Sequence, residues 1–288
     1  MHTRPATSDD VALAAELAAR FDTAWFGAPE NDEDEIGEYF DQVPSFETDS
    51  RVFSDDGRVL AVALHNPHDA WFVTDPDQEL TRRVADDLIA WYATFDNPKL
   101  EVLDRDEALR AKLAAHGWQH QRSSFELVRP VSAEWTIAEP RYPDGVEVRP
   151  FTPDQAEAMY HLIYVDAAWA EVPGHPQRPF DDWRKLFITD TTVPKLQVLA
   201  WRGDRLVGVS TGRIFSDGTG WIAQLAVARD ERGHGLGRAL LLDSLHRRRT
   251  AGATALGLSV QAENRNALAL YLDTGLEIDR EWMEYRPA

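Results

Sequence analysis

Stretches whose apolar positions recur at helical spacing alternate along this chain with short apolar runs that read as strands. Helices are expected over residues 11–20, 107–115, 156–165, 180–187, 237–250 and 266–273, and strands over 124–128, 146–150, 196–202, 206–214, 221–227, 255–260 and 281–285. Gly203 and Asp204 separate two of these strands and predict an antiparallel pair. A proline-bearing stretch over residues 172–179 reads as a loop. The mixture is α+β, with strands dominating the middle of the second half.

The pattern also repeats. Arg4-Pro5-Ala6-Thr7-Ser8-Asp9 and Arg149-Pro150-Phe151-Thr152-Pro153-Asp154 share R-P-x-T-x-D, and each precedes a helix. Thr7 or Ser8, and Thr152, are candidate caps, and Pro153 suits a first helical position. The halves end alike. His116-Gly117-Trp118 and Thr274-Gly275-Leu276 each follow a short helix and precede a strand. Pro130, Pro140 and Pro143 lie between the halves and mark a linker. A duplicated unit follows: one domain over residues 1–135, a linker over 136–145, and a second domain over 146–288.

Composition narrows the field. The 288 residues are 43% hydrophobic and 27% charged, which is globular. No run approaches the roughly 20 apolar residues of a membrane helix, and the first residues lack the apolar core of a secretory signal. There are no cysteines, which excludes disulfides, thiolate metal sites and a cysteine nucleophile. A cytoplasmic protein is expected. The net charge of -19 argues against a nucleic-acid partner.

Against that acidic background one segment reverses sign. Arg232-Gly233-His234-Gly235-Leu236-Gly237 lies between a predicted strand and a predicted helix, flanked by Arg229 and Arg238. A helix N-terminus offers unpaired N–H groups, and glycines let an anion approach them. Strand, glycine turn and helix make a phosphate site. A P-loop is excluded because no lysine follows the glycines. A dinucleotide fold is disfavoured because the glycine spacing differs and the next strand carries no acid. The remaining class grips the pyrophosphate of coenzyme A.

At this point the chain resembles the GNAT superfamily of N-acetyltransferases, whose signature [QR]-x-x-G-x-[GA] is matched by Arg232 to Gly237. A second family pattern, N-x-x-A-x-x-x-Y-x-x-x-G-[FL], is matched by Asn264, Ala267, Tyr271, Gly275 and Leu276. The resemblance implies two tandem GNAT-like domains, each a mixed, mostly antiparallel sheet flanked by helices, with acetyl-CoA as co-substrate. It implies that backbone groups of Leu225, Ala226 and Val227 pair with the pantetheine arm. Gly233, His234, Gly235, Leu236, Gly237, Arg232 and Arg238 would hold the pyrophosphate. Asn264 would bind the cofactor or a water, and Tyr271 would be the general acid. The reaction implied is direct attack by a primary amine of a small molecule, with no covalent intermediate, metal or redox cofactor. A CoA-binding sensor or scaffold with vestigial catalysis, and a protein-lysine acetyltransferase, are the rival readings.

The pattern breaks in two places. Many family members carry a glutamate six residues before the position of Val227; here it is Trp221, and an indole accepts no proton. Glu171, Asp217 and Glu263 are candidate carboxylates, each reading first as a surface charge. The first half lacks the glycine loop, carrying Thr74-Asp75-Pro76-Asp77-Gln78-Glu79 instead. Leu113 stands where Tyr271 does, and Asp106 where Asn264 does. One active site per chain is therefore expected, an architecture that resembles the mycothiol-synthase branch. The acidic run over residues 30–38 reads first as a solvated helix face, and alternatively as a patch that attracts a cationic amine. Residues 169–178, with Glu171 and His175, read equally as a wall of the acceptor pocket or as an ordered surface loop. Oligomeric state is not written in the sequence.

Overall fold

The computed structural model describes residues 1–66, 69–167, 169–172, 177–188 and 192–288. These form two compact units: Met1–Phe125 with Gln261–Glu263 and Arg280–Ala288, and Glu126–Val260 with Asn264–Asp279. His175 lies outside the described residues.

The first unit contains β1 (His2–Arg4), α1 (Val11–Phe26), α2 (Glu33–Phe40), α3 (Phe46–Asp49), β2 (Ser50–Asp55), β3 (Arg58–Asn66), β4 (Asp69–Thr74), α4 (Gln78–Tyr92), β5 (Leu100–Leu103), α5 (Glu107–Ala115) and the start of β6 (Trp118–Pro130). Strands β1 to β4 form an antiparallel sheet in chain order. Alternate residues of the apolar β3 serve two layers. Val62 and Leu64 pack with α1 and α2, whereas Ala61 and Ala63 pack with α4 and α5. Helix α2 carries Glu33, Asp34, Glu35 and Glu38 of the acidic run: Ile36 and Phe40 are buried, Asp32 before the helix accepts from the Glu35 amide, and Glu30 accepts from Arg280.

The second unit follows with β7 (Val146–Arg149), α6 (Ala156–His161), α7 (Phe180–Phe187), β8 (Val198–Arg202), β9 (Arg205–Ile214), β10 (Thr219–Val227), α8 (Leu236–Thr250), β11 (Ala255–Gln261), α9 (Arg265–Asp273) and the start of β12 (Glu277–Pro287). A π-turn over Leu162–Asp166 extends α6. Strands run in the order β11-β10-β9-β8-β7, antiparallel except for β10 beside β11. One face packs on α6, the π-turn and α7, with Trp183 fully buried; the other packs on α8 through Leu236 and Leu240. This order of elements repeats that of the first unit, the one-turn α3 apart.

The repeat holds at single residues. The Thr7 amide donates to Asp10, and the Thr152 amide to Gln155, so Thr7 rather than Ser8 begins the first turn. Asp106 caps α5 by accepting from the Leu109 amide, and Asn264 caps α9 by accepting from that of Ala267. Seven residues on, Leu113 and Tyr271 are both buried. Four residues further, Gly117 and Gly275 take φ values of 77° and 93°, the left-handed conformation that ends a helix. Residues 280–288 group with the first unit, where Trp282 to Tyr285 pair antiparallel with β5.

Candidate active site

The two units differ most at the turn between their fourth strand and the helix after it. In the first unit Asp77 caps α4 by accepting from the Glu79 amide. Asp75 accepts from the Asp77 amide and is itself held by Arg58 at 2.6 Å and Arg20 at 3.4 Å. Carboxylates of the chain therefore occupy the place an anion would take. In the second unit, Gly233 and Gly235 adopt φ of +81° and +86°. A Cβ on either would meet nothing within 4 Å, so conformation rather than crowding demands glycine. Among the described residues, none accepts from the amides of Gly233, His234, Gly235, Leu236, Gly237 or Arg238. The first bond at the end of α8 is that of Ala239 to the Gly235 carbonyl. A run of free amides at a helix start is a nest for phosphate oxygens.

The arginines are less free than their sequence positions imply. Arg229 pairs with Glu171, and Arg238 with Asp273 at 3.1 Å. Arg232 turns inward: its Nε donates to the Val227 carbonyl at 3.1 Å and its Nη2 to the Ala167 carbonyl at 2.6 Å. Partial burial lowers its pKa. It ties the strand end, the end of the π-turn and the glycine loop together. His234 is exposed; Leu236 is buried in the α8 core, so only its amide faces the turn.

Beside the turn the sheet opens. The parallel ladder of β10 and β11 runs from Thr219↔Ala255 to Ile222↔Leu258 and stops. Against β9, β10 slips register between Ile222 and Gln224, leaving Ala223 as a bulge. Ala228 donates to the Val207 carbonyl. Because bonded and non-bonded pairs alternate in an antiparallel ladder, Ala226 then pairs with β9, while Leu225 and Val227 turn their backbone groups away from it. The Val227 carbonyl on that side is taken by Arg232, which leaves the Leu225 N–H and C=O and the Val227 N–H facing the gap.

Tyr271 is buried on α9, and burial pushes its pKa up to about 12. Its hydroxyl has no hydrogen-bond partner among the described residues. It is thus a protonated donor at any physiological pH. Asn264 is exposed and engaged as a cap at 3.3 Å. The Trp221 indole lies against Gly257 on β11, where a Cβ would come within 2.9 Å of its Cζ3. The three carboxylates are all exposed: Glu171 pairs with Arg229, Asp217 accepts from the Thr219 amide and hydroxyl at 2.7 Å, and Glu263 groups with the first unit. Neither the bulge nor the inward turn of Arg232 follows from the hydrophobic pattern. Gly212, a glycine inside a strand, is the sequence signal that could have flagged the bulge.

Known proteins resemble this chain in sequence and in fold. Residues 156–276 match the Acetyltransferase (GNAT) family. Mycothiol acetyltransferase from Thermomonospora curvata is 32% identical over 165 residues, covering 57% of this chain and 55% of that protein. The mycothiol acetyltransferase of Streptomyces avermitilis is 32% identical over 169 residues, covering 57% and 53%. The chain thus spans about half the length of these curated relatives. Two solved structures share the whole fold. A GCN5-related N-acetyltransferase from Sphaerobacter thermophilus has a TM-score of 0.75 at 20% identity, covering 99% of this chain and 94% of that one. A tandem GNAT protein from the clavulanic acid biosynthesis pathway has 0.72 at 16%, covering 99% and 97%.

Proposed function

We propose that this chain, which carries a GNAT acetyltransferase domain over residues 156–276, transfers acetyl from acetyl-CoA to a primary amine of a small molecule. The observation that carries the reading is the bare start of α8: amides of residues 233–238 without acceptors among the described residues, beside a strand whose Leu225 backbone has no partner among them either. The amides would hold the pyrophosphate, and Leu225 and Val227 would pair with the pantetheine arm. The relatives named mycothiol acetyltransferase support a small acceptor.

In this mechanism the neutral amine attacks the thioester carbonyl carbon, a C–N bond forms, and the C–S bond breaks. The leaving sulfur takes a proton, which Tyr271 is suited to give; the excess proton on nitrogen leaves to water. Trp221 cannot take it. Calorimetry with acetyl-CoA tests the loop assignment. Gly235→Asp puts a side chain at φ +86° and a carboxylate beside the free amides, and binding should weaken at least tenfold. Equal affinity in wild type and variant refutes the assignment.

Trp221 favours a second reading, a CoA-binding sensor without turnover. An acetyl-CoA consumption screen across amines separates the two. Turnover lost in Tyr271→Phe supports the enzyme, and tight binding without turnover supports the sensor.

A further inference from the structure

At the bulge, two buried side chains replace missing backbone partners. Gly212 on β9 lies opposite Ile222, where the ladder slips, with φ +152°. Its amide donates to Gln197 Oε1 at 3.1 Å, and its carbonyl accepts from Gln197 Nε2 at 2.9 Å. One glutamine amide thus makes both bonds that a neighbouring strand would make. On the other side, the Trp221 carbonyl accepts from Arg248 Nε at 3.0 Å. Arg248 reaches in from α8 and is fully buried. Its Nη1 donates to the carbonyls of Leu196 and Ser244, and among the described residues its Nη2 has no partner and no carboxylate pairs with it. Space is tight: a Cβ on Gly212 would lie 1.9 Å from the Trp221 carbonyl oxygen and 2.5 Å from Arg248 Nη2.

A buried guanidinium bound only by carbonyls costs stability that an apolar side chain would not. A bulge places two residues against one and re-aims the strand beyond it. The β10–β11 ladder ends at Ile222, one residue before the bulge. We propose that Arg248 and Gln197 are positioning residues that hold this bulge, and through it fix where β10 parts from β11 and how Leu225 faces the gap. Neither touches the glycine turn, so they govern the placement of the thioester and not the grip on the diphosphate. This assignment rests on the acyltransfer reading for its kinetic consequence, but not for its structural one.

The test uses the full chain as Gln197→Met, Arg248→Lys and Arg248→Met, all measured well below each variant's melting temperature. Amide hydrogen exchange without substrate should rise at least tenfold in residues 211–213 and 221–224 and stay within twofold in residues 205–208. With acetyl-CoA and the best amine of the screen, kcat should fall at least tenfold in both methionine variants while the Kd for CoA moves less than threefold. Arg248→Lys keeps a donor for the Trp221 carbonyl and should recover part of the rate. The double variant Gln197→Met/Arg248→Met should be no slower than the worse single. A uniform rise in exchange, or kcat within twofold of wild type, overturns the proposal. If Arg248→Met does not fold, Gln197→Met and Arg248→Lys decide. If wild type turns over no amine, the acyltransfer reading fails, and the exchange pattern alone decides whether the two side chains hold the bulge.

Discussion

Tyr271 concentrates the chemistry into one hydroxyl. Burial disfavours the phenolate, so the group stays in its protonated, proton-bearing form through neutral pH. In Tyr271→Phe, kcat should drop tenfold or more with KM for acetyl-CoA little changed, because the ring still packs on α9 and only the proton donor is gone. The same burial has a consequence for stability. The folded pKa of about 12 lies above the unfolded value near 10. The stability of the neutral form is therefore intact below pH 10 and is lost as pH climbs toward 12. The stability of wild type relative to Tyr271→Phe should decline by on the order of 2 kcal/mol between pH 9 and pH 12. Urea unfolding of both proteins across that range reads the difference. Asp22 gives a second titration at lower pH. Burial raises its carboxyl to about 6, although its side chain accepts from the Glu30 amide at 3.0 Å. Its contribution is full below pH 4 and is lost as pH rises through 6. Asp22→Asn, which keeps the acceptor oxygen, should raise the melting temperature at pH 8 and leave it unchanged at pH 4.

At the scale of elements, the helix starts separate support from binding. Asp106 and Asn264 cap equivalent helices, and replacing either by alanine should cost about 1 kcal/mol in chemical unfolding. Asn264→Ala should leave the affinity for acetyl-CoA nearly intact if capping is its whole task. A tenfold loss would instead give it a part in the site. The threonines that open the repeated turns, the paired glycines and the strand–turn–helix at residue 232 are legible because each is a local arrangement with its own residue signature; the capping by Asp106 and Asn264 is not among those readings, since the family pattern assigns Asn264 to the cofactor or a water. Nor is the bulge legible. It depends on carbonyls of Trp221 and Leu196, which carry no side-chain identity and lie 27 and 52 residues from the arginine that binds them. Arg248 sits in the sequence between Arg247 and Arg249 and reads there as one more solvated charge. The grouping of residues 280–288 with the first unit was hidden for a related reason: periodicity marks a strand but does not name its neighbour.

For the whole molecule, the charge of -19 must be reconciled with an anionic ligand. If the glycine turn drew its ligand by free arginines, local attraction would offset the global field. Instead Arg229 and Arg238 are paired with carboxylates and Arg232 with carbonyls. The attraction left is the single charge of Arg232, which carbonyls orient but do not neutralise, set against a net charge of -19, and that of amide dipoles, which act only at contact. Approach is therefore governed by the long-range repulsion, which salt screens over about 10 Å at 0.1 M. The association rate of acetyl-CoA should rise as NaCl goes from 20 to 300 mM, whereas the dissociation rate should change little. Stopped-flow binding reads both. An association rate that falls with salt would mean that the arginines leave their partners and lead the encounter. Calorimetry on the same samples should return one site per chain, because Asp75 and Asp77 already fill the corresponding turn of the first unit. A stoichiometry of two would show that those carboxylates can be displaced.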